Sequence, residues 1–341
     1  MDVSKNLELP RSRLRWRRAL MGIAIPAGAL MAVWWLCVRM PGESYRGPLQ
    51  PTSDEERQVE LELRRHIRVL AEDIGERHDG RPFALERTVD YLDSEFRTLS
   101  FEVRRHEFVH REQTFVNLEA SVPGASEEFI VVGAHYDSAR STPAANDNAS
   151  GTAAVLSLAG YFATRPQRYG IRFVAFANEE PPHFQREGMG SLRYAHDLRD
   201  RGESPLAMVS IETIGYYRDE AGSQHYPWPL NHAYPSEGNF IGFVSDVGSR
   251  DVLHRALSSF RSSTDFPSEG GALPGFVRGV GWSDHWAFWQ VDCPALMVTD
   301  TAIFRYPHYH QPSDTVDKLS FDRMARVVVG LRSVVRELAN P

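Results

Sequence analysis

Apolar and polar positions follow two different periods along this chain. From Val59 to Arg77, "VELELRRHIRVLAEDIGER" carries apolar residues at helical spacing, and "LERTVDYLDSEFRTL" repeats the pattern. Both stretches predict amphipathic helices. "FEVRRHEFV" and "TFVNLEASV", rich in Phe, Val and Thr, predict strands. Then the pattern changes to short, nearly continuous apolar runs: "FIVVGAHYD", "IRFVAFANEE", "AMVSIETIG" and later "PALMVTDT". Helical stretches such as "SGTAAVLSLAGYFA" and "MGSLRYAHDLRDR" separate them, and "FDRMARVVVGLRSVVRELA" forms an amphipathic closing helix. Buried strands alternating with helices predict an α/β fold, with a mixed, largely parallel central sheet flanked by helices.

One further apolar run has a different length. "ALMGIAIPAGALMAVWWLCV", residues 19–38, is uncharged, and "RSRLRWRR" precedes it directly. Some twenty apolar residues match the hydrocarbon thickness of a bilayer, and the arginines hold the N-terminus on the cytoplasmic side. The expectation is a basic head over 1–18, a signal-anchor helix over 19–38, a Pro/Gly-rich linker over 39–55 and a folded body over 56–341. The body then lies outside the cytoplasm, in a periplasm-like compartment. A cleaved signal peptide is the rival reading, but its core is shorter and no small-x-small site follows Val38.

Charge narrows the partners. The net charge of the 341 residues is −7. The first 18 residues carry six basic against two acidic side chains, so the remainder is close to −11. An acidic body without a basic face excludes nucleic acid as a partner. Cys37 and Cys293 are the only cysteines, so thiolates cannot form a metal cluster.

Three apolar runs end in charged residues: His135 and Asp137, then Glu179 and Glu180, then Glu212. Ligands of open α/β sheets bind outside the carboxyl ends of the strands, so three strands deliver imidazole and carboxylate to one edge. "AANDNASG" adds Asp147 where a helix opens, either as a helix cap or as a ligand. "YPHYHQPSDT" adds a loop with His308 and His310. Nitrogen and oxygen ligands without sulfur suit a catalytic zinc site. "HEFVH", His106 to His110, matches a zincin motif, which requires a helix. Its flanks are strand-like, and in a strand the two histidines stand about 13 Å apart, so they cannot share an ion. His66, His183, His196, His225, His232 and His254 have no partner at ligand spacing and are expected at the surface or in loops. His285 is expected to pack near the site.

The ordered set "GAHYDS", "NDNASG", "NEE", "IETIGY", "SDHWAFW" and "YHQPSDT" resembles the zinc aminopeptidases of the aminopeptidase Y and aminopeptidase S type, in peptidase clan MH. The resemblance runs from about Asp54 to the C-terminus. It implies two zinc ions, one held through His135 and the other through His310. Asp147 bridges them, Glu180 completes one site and Glu212 the other. It also implies Glu179 as general base, Asp137 as the carboxylate that orients His135, and Tyr309 as donor to the developing oxyanion. The position of Glu212 is often aspartate in such enzymes, which leaves open how a longer side chain fits. Peptides are the implied substrates, cut at the N-terminal residue. "FPSEGGALPGFVRGVGWSDHW" is a Gly-rich stretch expected to wall the side-chain pocket. Two alternatives stand beside this reading: a glutaminyl cyclase-like acyltransferase on the same fold, and a receptor-like ectodomain without catalysis. A serine hydrolase lacks support, because no G-x-S-x-G elbow is present.

Overall fold

The structure is a computed structural model that describes residues 28–340. The chain divides into two compact units, Met1–Arg39 and Met40–Pro341. In the first, helix α1 (residues 28–37) exposes Leu30, Met31, Val33, Trp34 and Leu36, and the Arg39 guanidinium lies 3.8 Å over the Trp35 ring. The first nine residues of the expected span 19–38 lie outside the described residues. Among the described residues no helix is long and apolar enough to cross a membrane.

The second unit is a mixed α/β sandwich built on one eight-stranded sheet of order β1-β2-β4-β3-β5-β8-β6-β7. Its strands are β1 (Val103–His110), β2 (Gln113–Val122), β3 (Phe129–His135), β4 (Gly170–Phe176), β5 (Met208–Glu212), β6 (Ile241–Ser245), β7 (Ser268–Ala272) and β8 (Ala295–Thr299). The central strands β4, β3, β5 and β8 run parallel, while β2 and β6 flank them in the opposite sense. The carboxyl ends of four neighbouring strands therefore meet at one edge.

Alternation along the strands assigns each face its core. On one face Ile130, Val132 and Ala134 of β3 and Ile171, Phe173 and Ala175 of β4 join a large apolar cluster. That cluster includes side chains of α2 (Asp54–Arg68), α3 (Pro82–Thr98), α4 (Ala149–Phe162), α6 (Arg250–Ser263) and α8 (Phe321–Ala339). On the other face Val131, Val174 and Phe176 pack with Tyr194 of α5 (Gly190–Asp200) and Phe288 of α7 (His285–Trp289). Burial of both faces explains the unbroken apolar runs of β3 and β4. Ser53 caps α2 in a reciprocal box with Glu56, fixing where the first body helix begins.

Two strands were not visible as patterns. β6 and β7 are five residues each, and β7 reads "SEGGA", too rich in glycine to register as a strand. β7 thus lies within the Gly-rich stretch expected to wall the side-chain pocket. One histidine differs from expectation: His66 is buried on α2 against Tyr91, whereas His183 lies in the loop that follows β4 and is buried there.

The joint between α4 and β5 is the closest approach that bears on the chemistry. A Cβ on Gly151 would stand 2.2 Å from the Ile211 carbonyl oxygen and 2.4 Å from Asn148 Oδ1. Gly151→Ala should therefore cost about 1–3 kcal/mol by overpacking. Urea unfolding should show a lower midpoint with an unchanged slope. An unchanged midpoint would mean that α4 can lift from β5 without loss.

Candidate metal centre

Each polar strand end arrives at the same place. His135 closes β3 and is fully buried; Thr152 Oγ1 donates to its carbonyl at 2.8 Å. Beyond β4, Asn178 takes a left-handed conformation with φ 57°. That turn carries Glu179 and Glu180 over Asp137, whose Oδ1 accepts from the Glu179 N–H at 3.0 Å and whose Oδ2 accepts from the Glu180 N–H at 3.1 Å. Glu212 ends β5 and is followed by Thr213 at φ 47°, again left-handed, although Thr is β-branched. His310 itself has φ 55°. Sparse backbone conformations thus cluster at the ligand-bearing turns, as they do where the surroundings fix a functional geometry.

Two triads result, and they share one residue. His135 Nε2 lies 3.3 Å from Asp147 Oδ1 and 3.2 Å from Glu212 Oε2. His310 Nε2 lies 3.1 Å from Asp147 Oδ2 and 3.1 Å from Glu180 Oε1. Within each triad the ligand atoms all fall within 4.8 Å of one another. The other ring nitrogen of His135 faces Asp137 Oδ1 at 3.4 Å. All eight residues expected at the site (His135, Asp137, Asp147, Glu179, Glu180, Glu212, Tyr309 and His310) are brought together or border it. Glu179 is buried beside the triads and belongs to neither. The Tyr309 ring stacks on His310 with centroids 3.9 Å apart. The longer Glu212 is accommodated, with Oε2 accepting from Ser283 Oγ at 2.8 Å.

The residues fit divalent zinc. Ligand atoms held about 2.0–2.2 Å from a tetrahedral zinc stand roughly 3.3 Å or slightly more from one another, close to the separations above. His135 Nε2, His310 Nε2, Asp147 Oδ2 and Glu180 Oε1 are buried and make no hydrogen bond. Buried polar atoms are normally paired, so unpaired lone-pair donors that face one another within both triads make these groups candidate cation ligands.

Electrostatics agree. Burial first, then the neighbouring Glu212, Glu180 and Asp284, pushes Glu179 well above the ordinary carboxylate range. Burial and Asp147 push Glu180 up to about 7 and Glu212 up to about 8. Burial opposes charge on His310, yet Asp147 and Glu180 push it up to about 11. Without cations the cluster must hold protons.

Several supporting residues were not foreseen. Asp314 Oδ2 accepts from the Asp147 N–H at 3.1 Å, and its Oδ1 accepts from the Asn146 N–H and the Tyr306 hydroxyl. Asn146 donates to Asp300 Oδ2 at 2.8 Å, and Asn148 donates to the Ile211 carbonyl at 2.9 Å. Asp314 and Asp300 stand in "PSDT" and "TDT", but nothing in their spacing says which carboxylate holds backbone. Arg77, fully buried behind these loops, gave no pattern at all.

The zincin motif lies on β1, and its two histidines part. His106 Nε2 meets Glu119 Oε2 at 2.9 Å, while the His110 ring packs edge-on against His183. His285 is buried, with Nε2 against the Val280 carbonyl at 2.7 Å. A cavity of about 110 Å³ adjoins the centre, lined by Glu212 and Tyr309 together with Tyr226, Phe304, Gly271 and Trp282. The Gly-rich stretch supplies part of this wall, as expected.

A double triad of imidazole and carboxylate at the carboxyl edge of such a sheet is a candidate zinc centre, and the family match makes the chain a zinc metallopeptidase. Residues 117–335 match Peptidase family M28, and the chain belongs to that family. It is 36% identical over 280 residues to the uncharacterized protein YfbL of Escherichia coli strain K12, covering 79% of this chain and 85% of that one. It is 26% identical over 252 residues to leucine aminopeptidase 1 of Arthroderma otae, covering 69% of this chain and 60% of that one. The chain thus spans about three-fifths of that fungal relative. In fold it is similar to a zinc aminopeptidase from Bacillus subtilis, with a TM-score of 0.67 at 16% identity over 83% of this chain and 95% of that one. It is also similar to the Fimbriiglobus ruber glutaminyl cyclase, with a TM-score of 0.62 at 21% identity over 86% and 97%.

The raised acids give a pH dependence with a definite sign. In metal-free protein Glu180 and Glu212 keep protons that the unfolded chain has released. Their stabilisation is full below about pH 4.5 and is lost as pH rises through about 7 and 8. Thermal unfolding of chelated protein should show Tm falling across that window. Added zinc, which displaces those protons, should raise Tm most at its alkaline end. A zinc effect largest at the acid end would contradict this charge balance.

Proposed function

We propose that the chain is an aminopeptidase of the aminopeptidase Y and S type, releasing N-terminal residues from peptides through two zinc ions. The observation that carries the proposal is the sharing of Asp147 by two triads, with the unligated Glu179 beside them. His135, Asp147 and Glu212 would hold one ion, and Asp147, Glu180 and His310 the other. Zinc bound there would supply Lewis acidity for a water and for the scissile carbonyl.

The protein's own residues do the rest. Glu179, its backbone anchored on Asp137, takes the proton of the attacking water and returns it to the leaving amine. Asp137 also faces His135 Nδ1, fixing the ring so that Nε2 points into the triad. Tyr309 donates its hydroxyl hydrogen to the oxygen that gains negative charge. Glu179 and Glu212 provide the acidic surroundings that a free α-amine needs, and the adjoining apolar cavity receives the side chain of the terminal residue. In the cell we place the head over 1–18 in the cytoplasm, the anchor over 19–38 in the membrane and the body in a periplasm-like compartment.

Glutaminyl cyclase activity is the second reading, supported by likeness of fold to such an enzyme. A peptide panel with free N-termini, including one that begins with Gln, separates the two by mass spectrometry. Stepwise loss of N-terminal residues that stops on chelation supports the aminopeptidase, and pyroglutamate without chain shortening supports the cyclase.

The adjacent glutamates should separate on mutation. Glu179→Gln keeps shape and removes the base, so it should retain zinc and lose about 10²–10⁴-fold in turnover. Glu180→Gln should weaken zinc binding, with activity partly recovered at high zinc. His106→Ala and His110→Ala should leave zinc content unchanged. Loss of metal from Glu179→Gln, with none from Glu180→Gln, would reverse the assignment.

A further inference from the structure

Arg77 is the largest fully buried side chain among the described residues, and it touches no carboxylate. Every hydrogen bond of its guanidinium goes to a backbone carbonyl. Nε donates to Tyr136 at 2.6 Å; one terminal nitrogen donates to Pro143 at 2.7 Å, Gly75 at 3.1 Å and Leu70 at 3.2 Å; the other donates to Ala144 at 2.9 Å. Its own backbone is clamped as well. The Arg77 N–H donates to Ser138 Oγ at 3.0 Å, and the Ser138 N–H donates back to the Arg77 carbonyl at 2.9 Å.

The places it holds are informative. Tyr136 lies between the ligand His135 and its orienting partner Asp137. Pro143 and Ala144 lead into the loop that presents Asp147. The segment leading into it contains Ser141 at φ 64° and Ala144 at φ 54°, two non-glycine residues in the left-handed region. Such conformations persist only where contacts over-determine them, and the bond from Arg77 to the Ala144 carbonyl is one such contact. A planar fork with five donors can bind carbonyls from several chain segments at once, which an ammonium cannot match.

Charge supplies a second link. Burial draws the guanidinium down to about 10, against the pull of Asp137, Asp314, Asp147 and Glu180, so it remains charged at neutral pH. A permanent cation therefore lies behind the carboxylates that face the two triads.

We propose that Arg77 is a positioning residue of the metal centre: its guanidinium sets the spacing between the His135–Asp137 turn and the Asp147 loop. The proposal rests on the metal-centre reading above. It predicts a loss in zinc binding beyond any general loss of stability.

The test compares full-length wild type, Arg77→Lys and Ser138→Ala. Arg77→Lys keeps the charge and loses the fork; Ser138→Ala keeps the fork and loosens the backbone that carries it. Gly330→Ala, at the distant contact of α8 with Phe260, provides a variant destabilised away from the site. Zinc affinity is measured by competition with a chromophoric chelator, Tm without metal is recorded alongside, and the visible spectrum of bound cobalt reports ligand geometry. Arg77→Lys should bind zinc about 10–100-fold more weakly, the usual cost of losing an outer partner of a metal ligand. Ser138→Ala should weaken zinc by a smaller factor, and both should alter the cobalt spectrum. Gly330→Ala should lower Tm with zinc affinity unchanged. If the Arg77 and Ser138 variants that fold bind zinc within twofold of wild type, with an unaltered cobalt spectrum, Arg77 serves the fold alone and the proposal fails. Should Arg77→Lys not fold, Ser138→Ala decides by the same criteria. A wild-type protein that binds no divalent ion overturns the metal-centre reading itself, a result distinct from failure of the Arg77 assignment.

Discussion

Asp147 stands between two imidazoles, one oxygen 3.3 Å from His135 and the other 3.1 Å from His310. The separation of the two triads is therefore set by the width of a single carboxyl group, and displacement of that group breaks both. The protein secures it from every side. Asp314 accepts its backbone N–H, while Asn146 and Asn148 on either side bind Asp300 beyond β8 and the Ile211 carbonyl on β5. Asn148 Oδ1 also caps α4 through the Gly151 N–H and accepts from the Thr213 N–H beyond Glu212. The helix start, the Asp147 loop and the end of β5 are thus one hydrogen-bonded piece. Gly151 matters for the same reason: it lets that piece close.

The buried acids divide by what they meet. Asp137 and Asp314 spend their lone pairs on backbone N–H groups, so their burial is compensated by the fold itself. Glu119 is a second solution, far along β2. Burial opposes its charge, but His106, Tyr194 and Ser121 hold its carboxyl at about 2. That glutamate pairs with an imidazole and has no need of a metal. Asp147 and Glu180 differ because Oδ2 and Oε1 have no donor. Unpaired buried oxygens beside unpaired imidazole nitrogens carry a cost that a bound divalent cation would remove. Asp137 and Asp314 are held by backbone donors; Asp147 and Glu180 each leave one oxygen unpaired at a triad, and Glu212 reaches its triad through an Oε2 that Ser283 also holds.

Much of this was legible in the sequence, and the parts that were not share a cause. The central strands could be read because burial on both faces makes them continuously apolar, and their polar last residues mark the edge where the site forms. His135, Glu180 and Glu212 follow from that rule. The position of "HEFVH" on a strand followed from its flanks. β7 was missed because its glycines carry no apolar pattern; its strand state comes from pairing with β6. Arg77 was missed because nothing local distinguishes it from the other arginines around it. Its role depends on carbonyls some 60 residues away, brought near only by the fold. His66 and His183 show the converse: each lacks a ligand partner in sequence, yet tertiary packing buries them.

The centre is not symmetric towards solvent, and that asymmetry bears on how the proposed reaction proceeds. The His135 side chain is 1% exposed and that of His310 is 31% exposed, so solvent meets the pair of triads from the His310 side. Tyr309, stacked on His310, stands on that side and also lines the apolar cavity, as does Glu212 from the first triad. A side chain seated in the cavity is therefore flanked by a residue of each half of the centre. Glu179 is 6% exposed, below the surface that such a substrate would cover. Covering it removes bulk water from the base while leaving the carboxylate next to the triads, where a proton can be taken and returned without escaping. A shielded base with an open second triad suits an enzyme that must admit a chain end, strip water from it and release a single residue.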